Sequence, residues 1–405
     1  MNVVITPSRL AGTVRVPASK SAAHRALIGA ALSDGPTVLR ISALNRDIEA
    51  TMACLGALGA TVRVSEGALE ITPAGRVPDR VELDCGESGS TLRFLLPVAC
   101  ALGASAHVTG RGRLPQRPNA ALTEALRAHG ASVDSDLLPM NLSGPIRGGA
   151  WALPGAVSSQ YVTGLLFALP LLEEDSEIIL TTKLASAAYV DMTLDALKRF
   201  GIEAHPTDTG WRVPGGQAYR SPGEIAVEGD WSAAAFWLAA DALGANIRLE
   251  GLRDDTVQGD RAVQARLGRK AIDAGHVPDL VPALAVVAAS LPQTTVITGA
   301  ARLRLKESDR LATTAAMLHA LGHRCRVTED GLIIEGGPPE AAGEPIRTVD
   351  GANDHRIVMA AAVAAAFADR PVRITGAEAV EKSYPDFFRD YQALGGLHHV
   401  EHPGK

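Results

Sequence analysis

Aromatic residues are scarce in this sequence: Phe, Trp and Tyr make up 4% of its 405 residues. Proteins that bind single-stranded nucleic acid need aromatic platforms for base stacking, and duplex binders show a basic stripe. The chain offers neither, and its formal net charge is −6. Basic residues that matter must therefore be gathered at one place in an acidic protein, which suits a small anionic metabolite. Cysteine is also sparse. Cys54, Cys85, Cys100 and Cys325 form no CxxC and no zinc spacing. Each lies in or beside an apolar stretch and reads as a small buried hydrophobe of a reducing compartment. The longest apolar runs, such as 357–368, are far short of the ~20 residues that span a membrane. The opening MNVVITPSRLAGTV has no charged start followed by a long apolar stretch, so it is not read as a signal peptide. A cytoplasmic protein is expected, with no membrane and no nucleic-acid partner. No metal-ligand spacing, nucleophile elbow or dinucleotide fingerprint is present, so neither metal nor cofactor is expected.

What the sequence does contain is a repeat. At ~100–200 residues per domain, two domains are the natural expectation for this length. An amphipathic helix pattern ending in Leu-x-x-x-Gly and followed by a β-like run recurs in CLGALGATVRV (54–64), ALRAHGASV (125–133), ALKRFGIEA (196–204), MLHALGHRC (317–325) and, more loosely, YQALGGLHHV (391–400). A weaker copy near VQARLGRK (263–270) would complete six. The glycines fit helix C-termini, where a left-handed residue closes the last turn. Between these lies a second series, Ala-rich and apolar on nearly all sides: 22–32, 90–102, 160–172, 232–243, 280–291 and 355–368. Helices apolar all round are normally buried. Each follows a polar cluster of the kind that caps helices: Ser19-Lys20-Ser21, Glu87-Ser88-Gly89, Ser158-Ser159, Gly229-Asp230, Pro278-Asp279 and Asn353-Asp354. The pattern gives an α/β protein of two similar domains, each of three repeated α/β units with buried central helices. The first domain spans 14–228. The second takes 1–13 plus 229–405, with crossovers near 14–18 and 226–230. The segment 221–231 reads as a crossover, and the strand-like 1–13 could pair with either domain.

Chemistry-bearing residues cluster at the starts of the buried helices. PASKSAAHR (17–25) sets Lys20, Ser21 and Arg25 at a helix N-terminus, where backbone N–H groups and the dipole favour an anion. GESGSTLR (86–93) lets a ligand approach the backbone at Gly89 and Ser90 beside Glu87. Its Arg93, on an apolar helix, is costly unless paired. GRGRLPQRP (110–118) carries Arg111, Arg113 and Arg117, and reads as an anion loop or a solvated basic one. VSSQY (157–161) offers hydroxyls and an amide suited to a phosphate, or simply a cap. LRLKESDRL (303–311) holds Lys306, Glu307, Asp309 and Arg310, which would be salt-linked at i,i+3 and i,i+4 on a helix. NDHR (353–356) sets His355 and Arg356 at the mouth of an apolar helix. Asp279 in HVPDLVPALA is a cap or a general base, since a carboxylate among cations stays ionised and can accept a hydroxyl proton. HHVEH (398–402) reads as a solvated tail. Cationic helix starts without a metal site point to anion chemistry run by electrostatics and proton transfer.

PASKSAAHR, GESGSTLR, LPQRP, VSSQY, ASAAYVDMT, VPDLVP, LKESDR, NDHR and SYPDFF occur in that order over nearly the whole chain. The ordered set closely resembles the EPSP synthases. The resemblance implies an inverted α/β barrel fold, EPSP synthase-like: two domains of three inverted α/β units around a hinged cleft. It implies transfer of the enolpyruvyl group of phosphoenolpyruvate to the 5-hydroxyl of shikimate 3-phosphate. By the same resemblance, Lys20, Ser21, Arg25, Ser158, Ser159, Gln160, Ser186, Tyr189, Asp279 and Lys306 hold shikimate 3-phosphate. Lys20, Gly89, Arg117, Gln160, Arg310, Arg356 and Lys382 hold phosphoenolpyruvate. Asp279 resembles the base at the 5-hydroxyl and Glu307 the carboxylate near the enol methylene, with Lys20 a third catalytic candidate. The chain departs from the family at Glu87 and Arg302, where many members have Asn, and at Glu378, where a lysine is expected and Lys382 stands nearby. A UDP-N-acetylglucosamine enolpyruvyltransferase and a non-catalytic metabolite binder of the same fold are the alternatives. A monomer is expected.

Overall fold

Buried and amphipathic helices alternate along the chain. In the computed structural model, which describes residues 1–340 and 344–401, α1 (Lys20–Leu32) is followed by α2 (Arg46–Ala57), α3 (Gly89–Ala101) by α4 (Ala120–Ala128), and α5 (Ser159–Ala168) by α6 (Ala187–Arg199). Likewise α7 (Trp231–Ala242) is followed by α8 (Val263–Arg266), α9 (Val281–Ser290) by α10 (Arg310–Ala320), and α11 (His355–Ala366) by α12 (Phe387–Ala393). The odd-numbered helices are buried along almost their whole length, as their all-round apolarity dictates. Side-chain caps close five of their six N-termini: Ser19, Ser88, Ser158, Asp230 and Asp354 each accept from a backbone N–H of the first turn. The exception is α9. A 3-10 turn, Pro278–Leu280, leads into it without a side-chain cap, because the Asp279 carboxylate is engaged elsewhere. The glycines ending the even-numbered helices, Gly59, Gly130, Gly201, Gly268, Gly322 and Gly395, all have φ between +73° and +104°, the left-handed closure expected of them. The weakest repeat shows its weakness here, since α8 is a single turn.

The repeating unit is strand, buried helix, parallel strand, amphipathic helix, then an antiparallel pair. In one copy Arg80–Asp84 and Ser105–Thr109 run parallel on either side of α3 in sequence, and Met140–Ser143 and Ser132–Val133 extend the sheet antiparallel. Sheets built on Gly149–Pro154 and on Ala271–Asp273 repeat the plan. Ser176–Thr182 and Thr295–Thr298 are the parallel partners there.

The remaining copies are closed by strands distant in sequence. Glu224–Ala226 pairs parallel with Thr37–Arg40 and completes the α1 unit. The segment 221–231, expected as a bare crossover, therefore contributes a strand, held by Ile225, which is buried and opposite Leu39. Asn2–Thr6 inserts between Val372–Thr375 and Leu397–Glu401 and completes the α11 unit. Ala11–Arg15 pairs parallel with Asn246–Glu250 beside α7.

The chain accordingly divides into two compact units, Ala18–Glu228 and Met1–Pro17 with Gly229–Lys405. Residues 14–17, expected with the first domain, group with the second, because the strand Ala11–Arg15 is hydrogen-bonded there along its length. Each unit has its own core. The tail also differs from expectation. Residues 398–401 form part of a strand, and His398 packs on the rings of Phe388 and Tyr391 rather than facing water alone. His402 lies outside the described residues. Cys54, Cys85 and Cys100 are buried and Cys325 half-buried, all as free thiols.

Candidate active site

In unit 18–228 the starts of α1, α3 and α5 carry the polar groups. Lys20, the first residue of α1, reaches Asp47 of α2 with Nζ 2.8 Å from Oδ2. Arg25 lies one turn further in, 3% exposed. Its Nε donates to Thr193 Oγ1 (2.9 Å), Nη1 to the Ser21 carbonyl (2.7 Å) and Nη2 to the Tyr189 carbonyl (2.7 Å). The guanidinium also lies over the Phe94 ring at 5.2 Å. Burial pulls its pKa down to about 10, against a smaller upward pull from Tyr189. A cation satisfied only by neutral groups keeps its charge available to an anion.

Ser186 sits with Tyr189 at the start of α6. It is 2% exposed and holds φ 55°, ψ 50°, a left-handed conformation that costs a non-glycine residue of order 1 kcal/mol or more and clusters at functional sites.

At α3 the Ser88 hydroxyl caps the helix and Gly89 is its first residue. Arg117 lies against Gly89: a Cβ built there would stand 2.7 Å from Nη1. Arg117 is 8% exposed and its Nε has no hydrogen-bond partner. Arg111 is exposed and paired with Asp84, so of the arginines in the 110–118 loop Arg117 is the buried one. Glu87 lies against Gly112 of the same loop.

Arg93 ties this region to α5. Its Nη1 donates to Gln160 Oε1 (2.6 Å), Nε to Asn119 Oδ1 (3.1 Å) and Nη2 to the Pro118 carbonyl (3.1 Å). Gln160 Nε2 donates onward to Ser90 Oγ (3.0 Å). Arg93 thus fixes Gln160 between Ser90 and the loop that carries Arg117. Ser158 caps α5 by accepting from Gln160 N (3.2 Å), with Ser159 buried beside it.

In unit 1–17 with 229–401 the site is organised around Asp279, whose side chain is 12% exposed. Oδ1 receives Arg310 Nη1 at 2.9 Å and lies 3.3 Å from Lys306 Nζ, and Oδ2 receives Arg356 Nη2 at 3.3 Å. Burial pushes the Asp279 pKa up, but Arg356, Lys306 and Arg310 outweigh it and hold the carboxyl well below the usual range. Arg310, 1% exposed, also donates to Asp354 (Nε to Oδ2, 2.9 Å) and to Glu307 (Nη2 to Oε2, 2.5 Å). Burial disfavours its charge, yet Asp354, Glu307 and Asp279 raise its pKa further above the normal value. Lys382, buried, donates to the Asn353 carbonyl at 2.7 Å beside the α11 start. The strict lysine position holds Glu378, which pairs instead with the N-terminal amine at 2.7 Å. Arg302 Nη2 reaches the Gly275 carbonyl at 3.4 Å. His355, 1% exposed, is buried in the first turn of α11.

Reading the sequence missed the acidic partners. Asp47 drew no reading from the sequence, since it stands 27 residues from Lys20 and nothing local links the two. Asp354 was read only as a cap, but it also anchors Ser308 (2.8 Å) and Arg310. Asp260 had no signal at all. It is 4% exposed, bonded through Oδ2 to Ser232 Oγ, and its Oδ1 has no partner. Burial, with Asp279 nearby, raises its pKa to about 6. Among the described residues no three His, Cys, Asp or Glu side chains gather as a metal site would need.

The chain is similar to known proteins over nearly its whole length. The family model described as EPSP synthase (3-phosphoshikimate 1-carboxyvinyltransferase) matches residues 4–273 and 262–391. A 3-phosphoshikimate 1-carboxyvinyltransferase of Clostridium perfringens is 38% identical, covering 98% of both chains. One of Halobacterium salinarum is 40% identical over 98% of this chain and 99% of its own. Among solved structures, an EPSP synthase from Acinetobacter baumannii superposes with a TM-score of 0.82 at 27% identity, covering 99% of this chain and 100% of that one. The enolpyruvyl transferase NikO from Streptomyces tendae, 16% identical with a TM-score of 0.78 over 98% of both chains, shares the fold. No helix among the described residues is long and apolar enough to cross a membrane. With a family model and curated relatives matching over nearly its whole length, the chain belongs to the EPSP synthase family.

Proposed function

We infer that the chain transfers the enolpyruvyl group of phosphoenolpyruvate to the 5-hydroxyl of shikimate 3-phosphate and releases phosphate. The observation that carries the reading is Arg117, a buried guanidinium whose Nε lacks a partner, lying against the backbone of Gly89 at a helix N-terminus. Unpaired buried donors are costly, and an oxyanion is what would satisfy them. Phosphoenolpyruvate is assigned to Lys20, Gly89, Arg117, Gln160, Arg310, Arg356 and Lys382. Shikimate 3-phosphate is assigned to Lys20, Ser21, Arg25, Ser158, Ser159, Gln160, Ser186, Tyr189, Asp279 and Lys306.

In the reaction the 5-hydroxyl oxygen adds to C2 of phosphoenolpyruvate while C3 gains a proton. The tetrahedral adduct then expels phosphate and loses a C3 proton, regenerating the enol ether. Asp279 takes the hydroxyl proton. Held by three cations it is a weak base. An incoming carboxylate or phosphate competes for the donors of Arg310, Arg356 and Lys306, and that competition raises the basicity of Asp279 when substrate is present. Glu307, which shares Arg310 with Asp279, carries the proton to and from C3. The free thiols fit a reducing cytoplasm, and the protein is taken to act as a monomer.

The test is phosphate release from phosphoenolpyruvate with shikimate 3-phosphate, with UDP-N-acetylglucosamine, or with no acceptor. Release only with shikimate 3-phosphate is expected. Release only with the UDP-sugar, or with neither, would overturn the reading.

A further inference from the structure

A buried hydrogen-bond chain crosses the first unit beneath the α1 and α3 starts. His24 Nδ1 of α1 lies 2.7 Å from Thr51 Oγ1 of α2. Thr51 Oγ1 lies 2.7 Å from Thr91 Oγ1 of α3, and Thr91 Oγ1 donates to Ser88 Oγ at 2.7 Å. All four residues are at most 1% exposed. Thr91 Oγ1 also touches the Asp47 carbonyl at 3.4 Å, in the residue whose carboxylate holds Lys20. The chain therefore joins the helix carrying Lys20 and Arg25 to the cap just before Gly89.

Proton bookkeeping gives the chain a direction. Burial, then the neighbouring charges of Lys20 and Arg25, hold the His24 pKa well below its ordinary value, so the ring is neutral and has one N–H. His24 Nε2 is buried without a partner. A proton there would be an unsatisfied donor, whereas a proton on Nδ1 is donated to Thr51. Thr51 then donates to Thr91, and Thr91 to Ser88. Ser88 Oγ already accepts from Thr91 N at 3.1 Å. Every link thus points its hydrogen toward the N-terminus of α3, in the same sense as the helix's own positive end.

We propose that His24, Thr51, Thr91 and Ser88 form a directed positioning chain that seats the α3 N-terminus for the phosphoenolpyruvate anion. The proposal rests on the assignment of Gly89 and Arg117 to phosphoenolpyruvate. None of the four residues is assigned to either substrate, so the effect should fall on one Michaelis constant.

Thr51→Val cuts the chain at its middle with little change of shape. The KM for phosphoenolpyruvate is expected to rise about five- to tenfold, with kcat and the KM for shikimate 3-phosphate within about twofold. Thr51→Ser, which restores the hydroxyl, should return the KM to within about twofold of the parent. If Thr51→Val does not fold, Thr91→Val makes the next cut. An unchanged phosphoenolpyruvate KM, or equal changes in both KM values and kcat, overturns the proposal. In the unsubstituted enzyme, 15N NMR of the histidines should find the His24 proton on Nδ1, and a proton on Nε2 reverses the chain and overturns the proposal. Arg117→Ala separates the two levels. If it raises the phosphoenolpyruvate KM while Thr51→Val does not, only the chain falls. If it leaves that KM unchanged, the site assignment falls and the chain falls with it.

Discussion

Gly89→Ala separates the cost of folding from the cost of binding. Gly89 begins α3 in a backbone conformation open to any residue, so alanine brings no backbone strain. The three nearest atoms to the added methyl would all belong to Arg117: Nη1 at 2.7 Å, Cζ at 3.0 Å and Nη2 at 3.1 Å. Ordinary contact begins near 3.4 Å, so the guanidinium must retreat by roughly 0.7 Å. It sits at the end of a flexible side chain and can move without dislodging a helix. Replacing glycine in a helix gains at most ~1 kcal/mol, so Tm should stay within about 4 °C of the parent and not fall. Binding should suffer more. A hydrogen bond to a charged group contributes ~1.5–3 kcal/mol, and losing one from Arg117 to phosphoenolpyruvate would raise that KM about ten- to hundredfold. The KM for shikimate 3-phosphate should hold within about twofold. Steady-state kinetics varying each substrate, with thermal unfolding of the same sample, decides the matter. An unchanged phosphoenolpyruvate KM would refute the placement of Arg117. A large fall in Tm would show that the methyl was accommodated by moving the helix instead.

Asp279→Ala should lower kcat by ~10²–10⁴, the usual contribution of a positioned base, while calorimetric affinity for shikimate 3-phosphate changes far less; equal losses would remove the base role. Arg310→Met strips a shared counter-ion from Asp279, Glu307 and Asp354, so stability should drop by ~3–5 kcal/mol at neutral pH, and an unmoved urea midpoint would contradict the network. Asp260→Asn should stabilise, with a defined pH dependence. The Asp260 pKa is raised from 3.8 to about 6 by burial and Asp279, so the native state binds the extra proton between those values and loses stability as pH rises through that window. The loss amounts to at most ~3 kcal/mol above it. The variant escapes that loss, so its advantage should be present at pH 8 and absent near pH 3.5, and an advantage equal at both would disprove the shift.

What the sequence revealed and what it hid divide along the range of the interactions. Caps and C-terminal glycines act within one turn, so Ser19, Ser88, Ser158, Asp230, Asp354 and the left-handed glycines could be read directly. Strand partners could not. Glu224–Ala226 is a three-residue alternating strand and Asn2–Thr6 a short apolar run, and nothing local says which sheet each completes. Of the local pairings expected in LKESDR, Glu307 with Arg310 formed at i,i+3, while the other carboxylate partners of Arg310 lie 31 and 44 residues away.

The hidden residues share a character. The cations could be read at helix starts, and Asp279 as a carboxylate among cations, but the pairings could not: Asp47 with Lys20, Asp279 and Asp354 with Arg310, Asp279 with Arg356. A buried cation must be neutralised or hydrogen-bonded, so each cation read from a sequence implies a partner that the sequence does not name. The exceptions are the informative ones. Among the described residues Arg25 is bonded only to neutral groups, and Arg117 Nε has no partner at all. In unit 18–228 neither guanidinium is paired with a carboxylate among the described residues, and an anionic substrate is the partner that would complete them.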